Sequence, residues 1–232
     1  LEKIDIYELI GYEDDYLNLI PSIFIPTTHG TGSEVTMWGT IWNMEGKKYS
    51  ISNPSLYPKV AILDGSLSLS LPMDISIITT MDALSHSFES IWNKNANDTS
   101  NNLAISAICS ILKNLPILKE TPFDLKIRNK LLKASTIAGL AFSNTKTAAS
   151  HSISYPLTIH YGIPHGLASS ICLLPLLNIN GHLIESSLNQ ICEKNEITMN
   201  ILKQIIKKLP TGVVSYNLNK WGVSENDLPK LA

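Results

Sequence analysis

The sequence predicts a mainly α-helical protein with a smaller β-containing N-terminal part. Up to Pro72, short apolar runs lie between prolines and one stretch alternates in the manner of strands. Beyond Pro72 the apolar residues recur every three or four positions, the period of helices that bury one face. We therefore divide the chain into residues 1–72 and residues 73–232.

The composition excludes several classes of function. The 232 residues suffice for one large or two modest domains, and a hydrophobic content of 44% is ordinary for a globular protein. A net charge of -2, without a basic run interleaved with aromatics, argues against nucleic acid and an anionic membrane as partners. We find no apolar run of bilayer-spanning length and no signal peptide. The first residue is Leu, so we expect a piece of a longer product.

The cysteines indicate a compartment. Cys109, Cys172 and Cys192 are isolated and form no CxxC spacing, which fits buried thiols in a reducing environment better than a disulfide framework or a thiolate metal site. We therefore expect a cytoplasmic protein.

Strands are expected before Pro72. Residues 22–25 lie between two prolines and residues 60–64 follow Pro58, and both runs are apolar enough to be buried strands. Residues 36–52 alternate and then turn, which predicts a hairpin. Residues 27–36 contain Gly30 and Gly32 among several hydroxyl side chains, and such a loop can approach a phosphate. Taken alone, a plain turn is the commoner reading, because neither the dinucleotide fingerprint nor the P-loop pattern is present.

Helices account for the remainder. The first is expected to be capped by Asp74 or Ser76 and to reach Trp92. The further predicted helices are one from about 99 to Pro116, one from Asp124 to Phe142 followed by a break at 143–145, a short one holding His151, one from Pro164 to Leu177, two over 183–209, and a cap at 223–227.

A possible metal site lies on the first of these helices. Asp82, His86 and Glu89 stand at i, i+4 and i+7, so they project from one narrow arc, opposite the apolar face. A carboxylate beside an imidazole suits a divalent ion such as Fe, Zn or Mn. Two ligands are too few, so others must come from elsewhere in the chain.

The six histidines supply candidates. A lone histidine is more often structural than a ligand, and we interpret His29 and His182 in that way. His151 and His165 differ, because each stands at the entrance to a predicted helix among small residues that leave room for an ion. Spacing alone leaves the ligand and structural readings of these two residues open.

Several stretches together resemble the iron-containing alcohol dehydrogenases, which share their fold with dehydroquinate synthase and glycerol dehydrogenase. The resemblance covers about residues 25–180, with a weaker echo over 221–232. The matching stretches are IPTTHGTGSEVT at 25–36, MDALSH at 81–86, ASTIAGLAFSN at 134–144 and GIPHG at 162–166. His29 departs from the pattern, since the family usually has a small residue there.

The resemblance implies a set of roles. It implies a dehydroquinate synthase-like fold that lacks most of the α/β dinucleotide-binding domain, with 1–72 as the C-terminal remnant of that domain and 73–232 as a truncated helical metal-binding domain. It also implies interconversion of a primary alcohol and an aldehyde by a homo-oligomer. The implied ligands of one Fe(II) or Zn(II) ion are Asp82, His86, His151 and His165. The implied contacts to NAD or NADP are Thr27, Thr28, Thr36 and Lys48.

Proton transfer is where the sequence departs from the family. Many members carry a histidine four residues after the third ligand, and Tyr155 stands there. Either Tyr155 or His160 could serve, and a packing role is an equal alternative for both. Glu89 could hydrogen-bond a ligand, or be a solvated or capping carboxylate.

The substrate and the class of function have alternatives. Residues 36–42 and 88–97 look similar to family members that reduce phosphonoacetaldehyde. The same ligand set could instead activate water in a hydrolase or lyase. A catalytically silent metal-binding or oligomerising domain is the third reading, because the family's glycine-rich phosphate motif is missing from these residues.

Overall fold

The computed structural model describes residues 20–42 and 48–230. The helices are α1 Met73–Trp92, α2 Asp98–Glu120, α3 Leu125–Thr145, α4 Ala149–Tyr161, α5 His165–Ile171, α6 Leu173–Asn180, α7 Glu185–Lys194 and α8 Met199–Lys208. The strands are β1 Ile23–Phe24, β2 Trp38–Trp42, β3 Lys48–Ser52 and β4 Val60–Ala61. The predicted fold class, mainly α with a small β-containing N-terminal part, is confirmed. The division at residue 72 stays a prediction.

The strands form two separate pairs. β1 runs parallel to β4, and β2 and β3 form the predicted antiparallel hairpin. The expectation that β1 and β4 are buried is wrong, since Ile23 is 59% exposed and Val60 is 46% exposed. Parallel strands are normally covered on both faces, whereas this pair contacts the short 3-10 helix at Ser33–Val35, which does not bury it.

The core lies between α1, α2 and α3. The apolar face of α1 contributes Met81, Leu84 and Phe88, each at most 1% exposed. α2 packs on both α1 and α3, and α7 closes over its far side. This packing leaves the opposite face of α1 directed toward α4 and α5, so the polar arc predicted on α1 lies inside the protein.

Helix ends are set partly by side chains that the sequence reveals. Asp124 Oδ1 accepts hydrogen bonds from the backbone N–H of Lys126 and Ile127, which confirms it as the cap of α3. α2 begins at Asp98 because Asn97 and Ser100 form a reciprocal capping box.

Four predicted helix boundaries are wrong. α1 begins at Met73 without a side-chain cap, so neither Asp74 nor Ser76 takes that role. Pro116 lies inside α2 instead of ending it. α3 continues through the predicted break to Thr145, and Cys172 separates α5 from α6 where one helix was expected.

Two helical stretches, Asp98–Glu120 and His165–Leu183, are long and apolar enough to span a bilayer by length and composition, contrary to expectation. The apolar residues of the first form the core with α1 and α3. A core helix passes the same test, so this observation does not indicate a membrane protein.

A buried arginine ties α3 to the start of α1. Arg128 is 1% exposed, and its guanidinium donates to the carbonyls of Leu71 and Pro122 and to Ser76 Oγ. These acceptors are neutral, so the charge is solvated by oxygen dipoles. Arg128 thereby fixes the segment that leads into α1 against α3.

The loop before α4 contains a strained residue. Lys146 has φ 68° and ψ 175°, a region that only glycine adopts readily. We expect Lys146→Gly to raise the free energy of unfolding by about 1 kcal/mol, because glycine relieves this strain. Urea denaturation measures the change. Lys130→Gly, in the exposed middle of α3, is the control and should lower stability by about 1 kcal/mol. Equal losses in both variants would contradict the assigned strain.

Candidate metal centre

α1 contributes two buried polar side chains to one site. Asp82 and His86 are 3% and 5% exposed, and they lie one helical turn apart. The ring of His86 stacks between Phe142 of α3 and His151 of α4, with ring centroids 4.1 Å and 4.3 Å away. This stacking leaves the His86 ring little freedom to rotate.

α4 and α5 bring two further histidines to the same place. Ligand atoms of Asp82, His86 and His151 all lie within 4.8 Å of one another. His151 Nε2 is 3.5 Å from Asp82 Oδ1, and His165 Nε2 is 4.0 Å from that oxygen. The His165 side chain is 42% exposed whereas the other three are buried, so the cluster opens to solvent on the His165 side.

The cluster fits a divalent cation. His151 Nε2 faces Asp82 yet is a buried nitrogen without a hydrogen-bond partner among the described residues. Such an orphaned group is costly unless something unseen satisfies it. One carboxylate with three imidazoles is a donor set suited to Fe(II) or Zn(II).

Side chains behind the cluster orient its members. Glu89 Oε2 makes a short hydrogen bond with His151 Nδ1, and Ser154 Oγ lies 3.3 Å from His165 Nδ1. In both histidines the Nδ1 atom is therefore engaged, which turns Nε2 toward Asp82. Ser169 Oγ donates to Asp82 Oδ1 at 2.7 Å.

The charges of the cluster are strongly coupled. Burial by itself raises the pKa of the Asp82 carboxyl, but the imidazoles of His86, His151 and His165 outweigh it and hold that pKa below its usual range. Burial lowers the pKa of His86 to about 3. Burial also opposes protonation of His151, but the nearby carboxylates of Asp82 and Glu89 raise its pKa to about 10. Asp82 is thus an anion and His86 a neutral imidazole near pH 7.

The helix α5 approaches α1 unusually closely. A Cβ atom at Gly166 would lie 2.4 Å from the carbonyl oxygen of Ile78 and 3.0 Å from Asp82 Cβ. Only glycine allows this approach. Because His165 is the neighbouring residue, the contact sets its position relative to Asp82.

The glycine loop of residues 27–36 is held against α3. Gly32, with φ 56°, lies so near Gly139 that a Cβ on it would be 2.6 Å from Gly139 Cα. The buried Glu34 accepts a hydrogen bond of 2.6 Å from Thr136 Oγ1. α3 therefore carries both this loop and Phe142, which contacts His86.

The residues expected to contact a nicotinamide cofactor differ in their exposure to solvent. Thr27 is exposed and Thr28 is half-buried at the start of the loop, while Thr36 is buried at its end with Oγ1 donating to the carbonyl of Ser33. Lys48 begins β3, and its side chain lies outside the described part of the structure. The loop thus offers hydroxyl groups from Thr27 and Thr28 to a ligand.

The two candidates for proton transfer, Tyr155 and His160, lie at different distances from the cluster. Tyr155 is one turn after His151, and its ring is parallel to that of His165 with centroids 6.2 Å apart. His160 is exposed in the last turn of α4, nine residues after His151 and thus about 14 Å further along the helix axis. The structure therefore brings Tyr155 to the cluster and leaves His160 away from it.

Sequence reasoning missed several contributors. Ser154 and Ser169 contact ligand candidates, and Trp38 extends the ring stack by packing on Phe142 with centroids 5.4 Å apart. Helical spacing could have predicted Ser169, because it lies four residues after His165 and therefore on the same face of α5. The resemblance over residues 36–42 includes Trp38 but did not predict its packing on Phe142.

His29 is a buried neutral imidazole next to the glycine loop. It is 0% exposed, and its Nε2 lies 3.1 Å from Ser68 Oγ, which donates to the carbonyl of Gly65. The structural interpretation of His29 agrees with this placement. Burial, with a smaller contribution from the nearby Arg128 charge, lowers its pKa to about 4.

This shift predicts a loss of stability in acid. In the unfolded chain the His29 imidazole has a pKa near 6.5, whereas in the folded protein it stays neutral down to about pH 4. The unfolded state therefore binds a proton that the folded state does not, and stability falls as the pH drops from about 6.5 to about 4. Between pH 7 and pH 5 the His29 contribution is about 2 kcal/mol. Urea denaturation should show that His29→Gln loses less stability over this interval than the wild type. Equal losses would contradict the assigned pKa.

Comparisons with known proteins agree with the resemblance seen in the sequence. The C-terminal model of the Fe-containing alcohol dehydrogenase family matches residues 76–232, and the iron-containing alcohol dehydrogenase model matches residues 4–65. The 1-propanol dehydrogenase of Salmonella typhimurium is 38% identical over 165 residues, which cover 71% of this chain and 45% of that protein. A probable alcohol dehydrogenase of Escherichia coli is 37% identical over 173 residues, covering 74% and 44%.

Solved structures show the same fold. The sulfoacetaldehyde reductase of Bifidobacterium kashiwanohense, crystallised with NAD+, superposes with a TM-score of 0.88 at 33% identity, covering 97% of this chain and 61% of that one. A 1,3-propanediol oxidoreductase superposes with a TM-score of 0.90 at 29% identity, covering 98% and 62%. The chain thus spans less than half of the curated relatives and about three fifths of these structures.

Proposed function

This chain belongs to the iron-containing alcohol dehydrogenase family, and we propose that it is the metal-binding part of an NAD(P)-linked enzyme that interconverts primary alcohols and aldehydes. The proposal is supported by the buried cluster of Asp82, His86 and His151, whose ligand atoms lie within 4.8 Å of one another. His165 Nε2 adds a third imidazole from the open side, 4.0 Å from Asp82 Oδ1. The proposed ligands are Asp82, His86, His151 and His165. Fe(II) is the first candidate ion, with Zn(II) as the alternative.

The chemistry follows from the donor set. Asp82, His86, His151 and His165 would hold the ion, which would supply Lewis-acid chemistry: a lower pKa for an alcohol substrate and an aldehyde carbon that accepts hydride more readily. Asp82 is the only carboxylate among the proposed ligands, so it lowers the net charge of the centre by one without neutralising it. Phe142 and the other rings packed on His86 exclude water from the inner side.

The open side of the cluster is where the substrate would enter. His165 is the exposed ligand candidate, and the Tyr155 ring lies parallel to it. We assign the proton-transfer role to the Tyr155 hydroxyl, and His160 has no part in the proposal. The glycine loop, held by α3, would present Thr27 and Thr28 to the cofactor, with Thr36 supporting the loop end.

The substrate is proposed to be a short aldehyde. The relatives named above act, by their names, on 1-propanol and on sulfoacetaldehyde, an aldehyde with an anionic group. Phosphonoacetaldehyde combines the same features, and the stretches at 36–42 and 88–97 favour it. Comparing kcat/KM for propanal, sulfoacetaldehyde and phosphonoacetaldehyde tests this finer proposal. Equal values for propanal and phosphonoacetaldehyde would contradict it.

Metal loading followed by cofactor titration tests the proposed function. The protein is loaded with Fe(II) without oxygen, its metal content is measured, and NADH is titrated in before propanal is added. One metal per chain and loss of nicotinamide absorbance with propanal support the proposal. Metal without NADH binding would favour a separate metal-binding role, and metal-dependent ester hydrolysis without nicotinamide turnover would favour the hydrolase alternative.

The cellular setting is part of the same proposal. We propose a cytoplasmic protein, because thiols persist in a reducing compartment. Cys109, Cys172 and Cys192 are free, and they are half-buried where buried thiols were expected. A homo-oligomer is proposed from the family resemblance. Light scattering after size-exclusion chromatography measures the assembly, and a monomer at micromolar concentration would contradict it.

A further inference from the structure

We infer that Glu89 is a positioning residue that holds the ring of His151 and the start of α4 at the same time. The inference rests on the proposed function, because it concerns how one proposed metal ligand is oriented. Glu89 lies on α1, the helix that also carries Asp82 and His86. One carboxylate would thus connect the ligands of α1 to the ligand of α4.

α4 has no cap of its own. Its first flanking residue is Ala148, which offers no side-chain acceptor to the free backbone N–H groups of the first turn. Glu89 Oε1 accepts from two of these groups, at 2.5 Å from the nitrogen of Ser150 and 3.2 Å from that of His151. A carboxylate at a helix N-terminus is also favoured by the helix dipole. Glu89 therefore caps α4 from another helix.

The second oxygen of the Glu89 carboxylate contacts the ring of His151. Glu89 Oε2 makes a short hydrogen bond with His151 Nδ1. With Nδ1 carrying the proton, the lone pair of Nε2 is directed to the point where Asp82 and His86 converge. Glu89 is 0% exposed, so bulk solvent does not reach either oxygen.

The loop before α4 is held in place, but its contacts do not determine how α4 is rotated about its axis. Residues 146 and 147 are tied to the end of α1 through Asn93, whose Nδ2 donates to the carbonyls of Lys146 and Thr147. These contacts fix the loop and not the rotation of α4. The Glu89 carboxylate constrains that rotation because it engages the backbone and the ring of His151 together, and Ser150 Oγ adds a hydrogen bond to the carbonyl of Ser169 on α5.

Glu89→Gln separates the proposed role from general packing. If the amide oxygen faces the backbone N–H groups, the amide nitrogen donates to His151 Nδ1 and forces the proton onto Nε2, which can then no longer bind metal. If the amide is reversed, its nitrogen faces backbone donors and the cap of α4 is lost. We expect Zn(II) affinity to fall about 10- to 100-fold in chelator competition. Asp74→Asn, which removes an exposed charge from the same helix, is the control and should bind as the wild type does.

Two further measurements complete the test. In the Zn(II)-loaded wild type, the NMR spectrum should contain a downfield His151 Nδ1–H resonance that Glu89→Gln lacks. In Glu89→Ala, the amides of Ser150 and His151 should exchange hydrogen at least tenfold faster than in the wild type, with or without metal. Unchanged Zn(II) affinity in Glu89→Gln overturns the inference and leaves the proposed site intact. A wild type that binds no metal overturns the proposed site and the inference built on it.

Discussion

Replacing Asp82 with alanine is expected to abolish stoichiometric metal binding. Its Oδ1 atom is 3.5 Å from His151 Nε2 and 4.0 Å from His165 Nε2, so it lies at the middle of the cluster. Without it, three neutral imidazoles remain, and no carboxylate among the ligands offsets the charge of a divalent ion in a buried site. Metal content after Fe(II) or Zn(II) loading and gel filtration measures the effect, which we expect to exceed 100-fold in affinity.

The companion variant and the control make this result specific. His165→Ala removes the exposed ligand candidate and should also lose stoichiometric metal, while its fold is retained because the side chain is not part of the core. Asp74→Ala removes an exposed carboxylate from the first turn of α1 and should retain one metal per chain. Full metal content in Asp82→Ala would show that the ion, if bound, is held elsewhere.

The part of the site that lies within one helix could be predicted from the sequence. Asp82, His86 and Glu89 share a face because the spacing along a helix is fixed by its backbone geometry, and α1 spans all three. The position of His151 could not be obtained in this way, since it depends on a loop with a strained Lys146 and on a cap supplied by another helix. Family resemblance, not spacing, pointed to it.

The wrong predictions for the end of α2 and for the burial of two strands also depend on features beyond the local sequence. Pro116 was expected to end α2, but it lies in the last two turns, and the helix continues to Glu120 with Thr121 closing it. The strand runs at 22–25 and 60–64 are apolar enough for a core, yet burial depends on what packs over them, and the short 3-10 helix at Ser33–Val35 beside them leaves them exposed. Apolar content predicts that a segment can be buried, and only the tertiary arrangement decides whether it is.

Gly166→Ala is expected to have the second largest effect, because it acts on stability and on the proposed metal site together. The added methyl would lie 2.4 Å from the carbonyl oxygen of Ile78, which belongs to the backbone of α1 and cannot turn away. α5 must therefore move from α1, and overpacking of this kind costs about 1–3 kcal/mol. Urea denaturation of the metal-free protein should show this loss.

The same displacement should weaken metal binding, since α5 carries His165 at its start and Ser169, which donates to Asp82 Oδ1. A shift of about 1 Å is enough to spoil a site whose ligands must meet at one point, so we expect Zn(II) affinity to fall at least tenfold. Gly181→Ala is the matched control: its backbone is helical, with φ -56° and ψ -34°, and the nearest atom to an added Cβ is 3.7 Å away. That variant should keep full affinity and gain slightly in stability, because alanine restricts the unfolded chain. If Gly166→Ala behaves like Gly181→Ala in both measurements, the close contact between α5 and α1 does not set the geometry of the site.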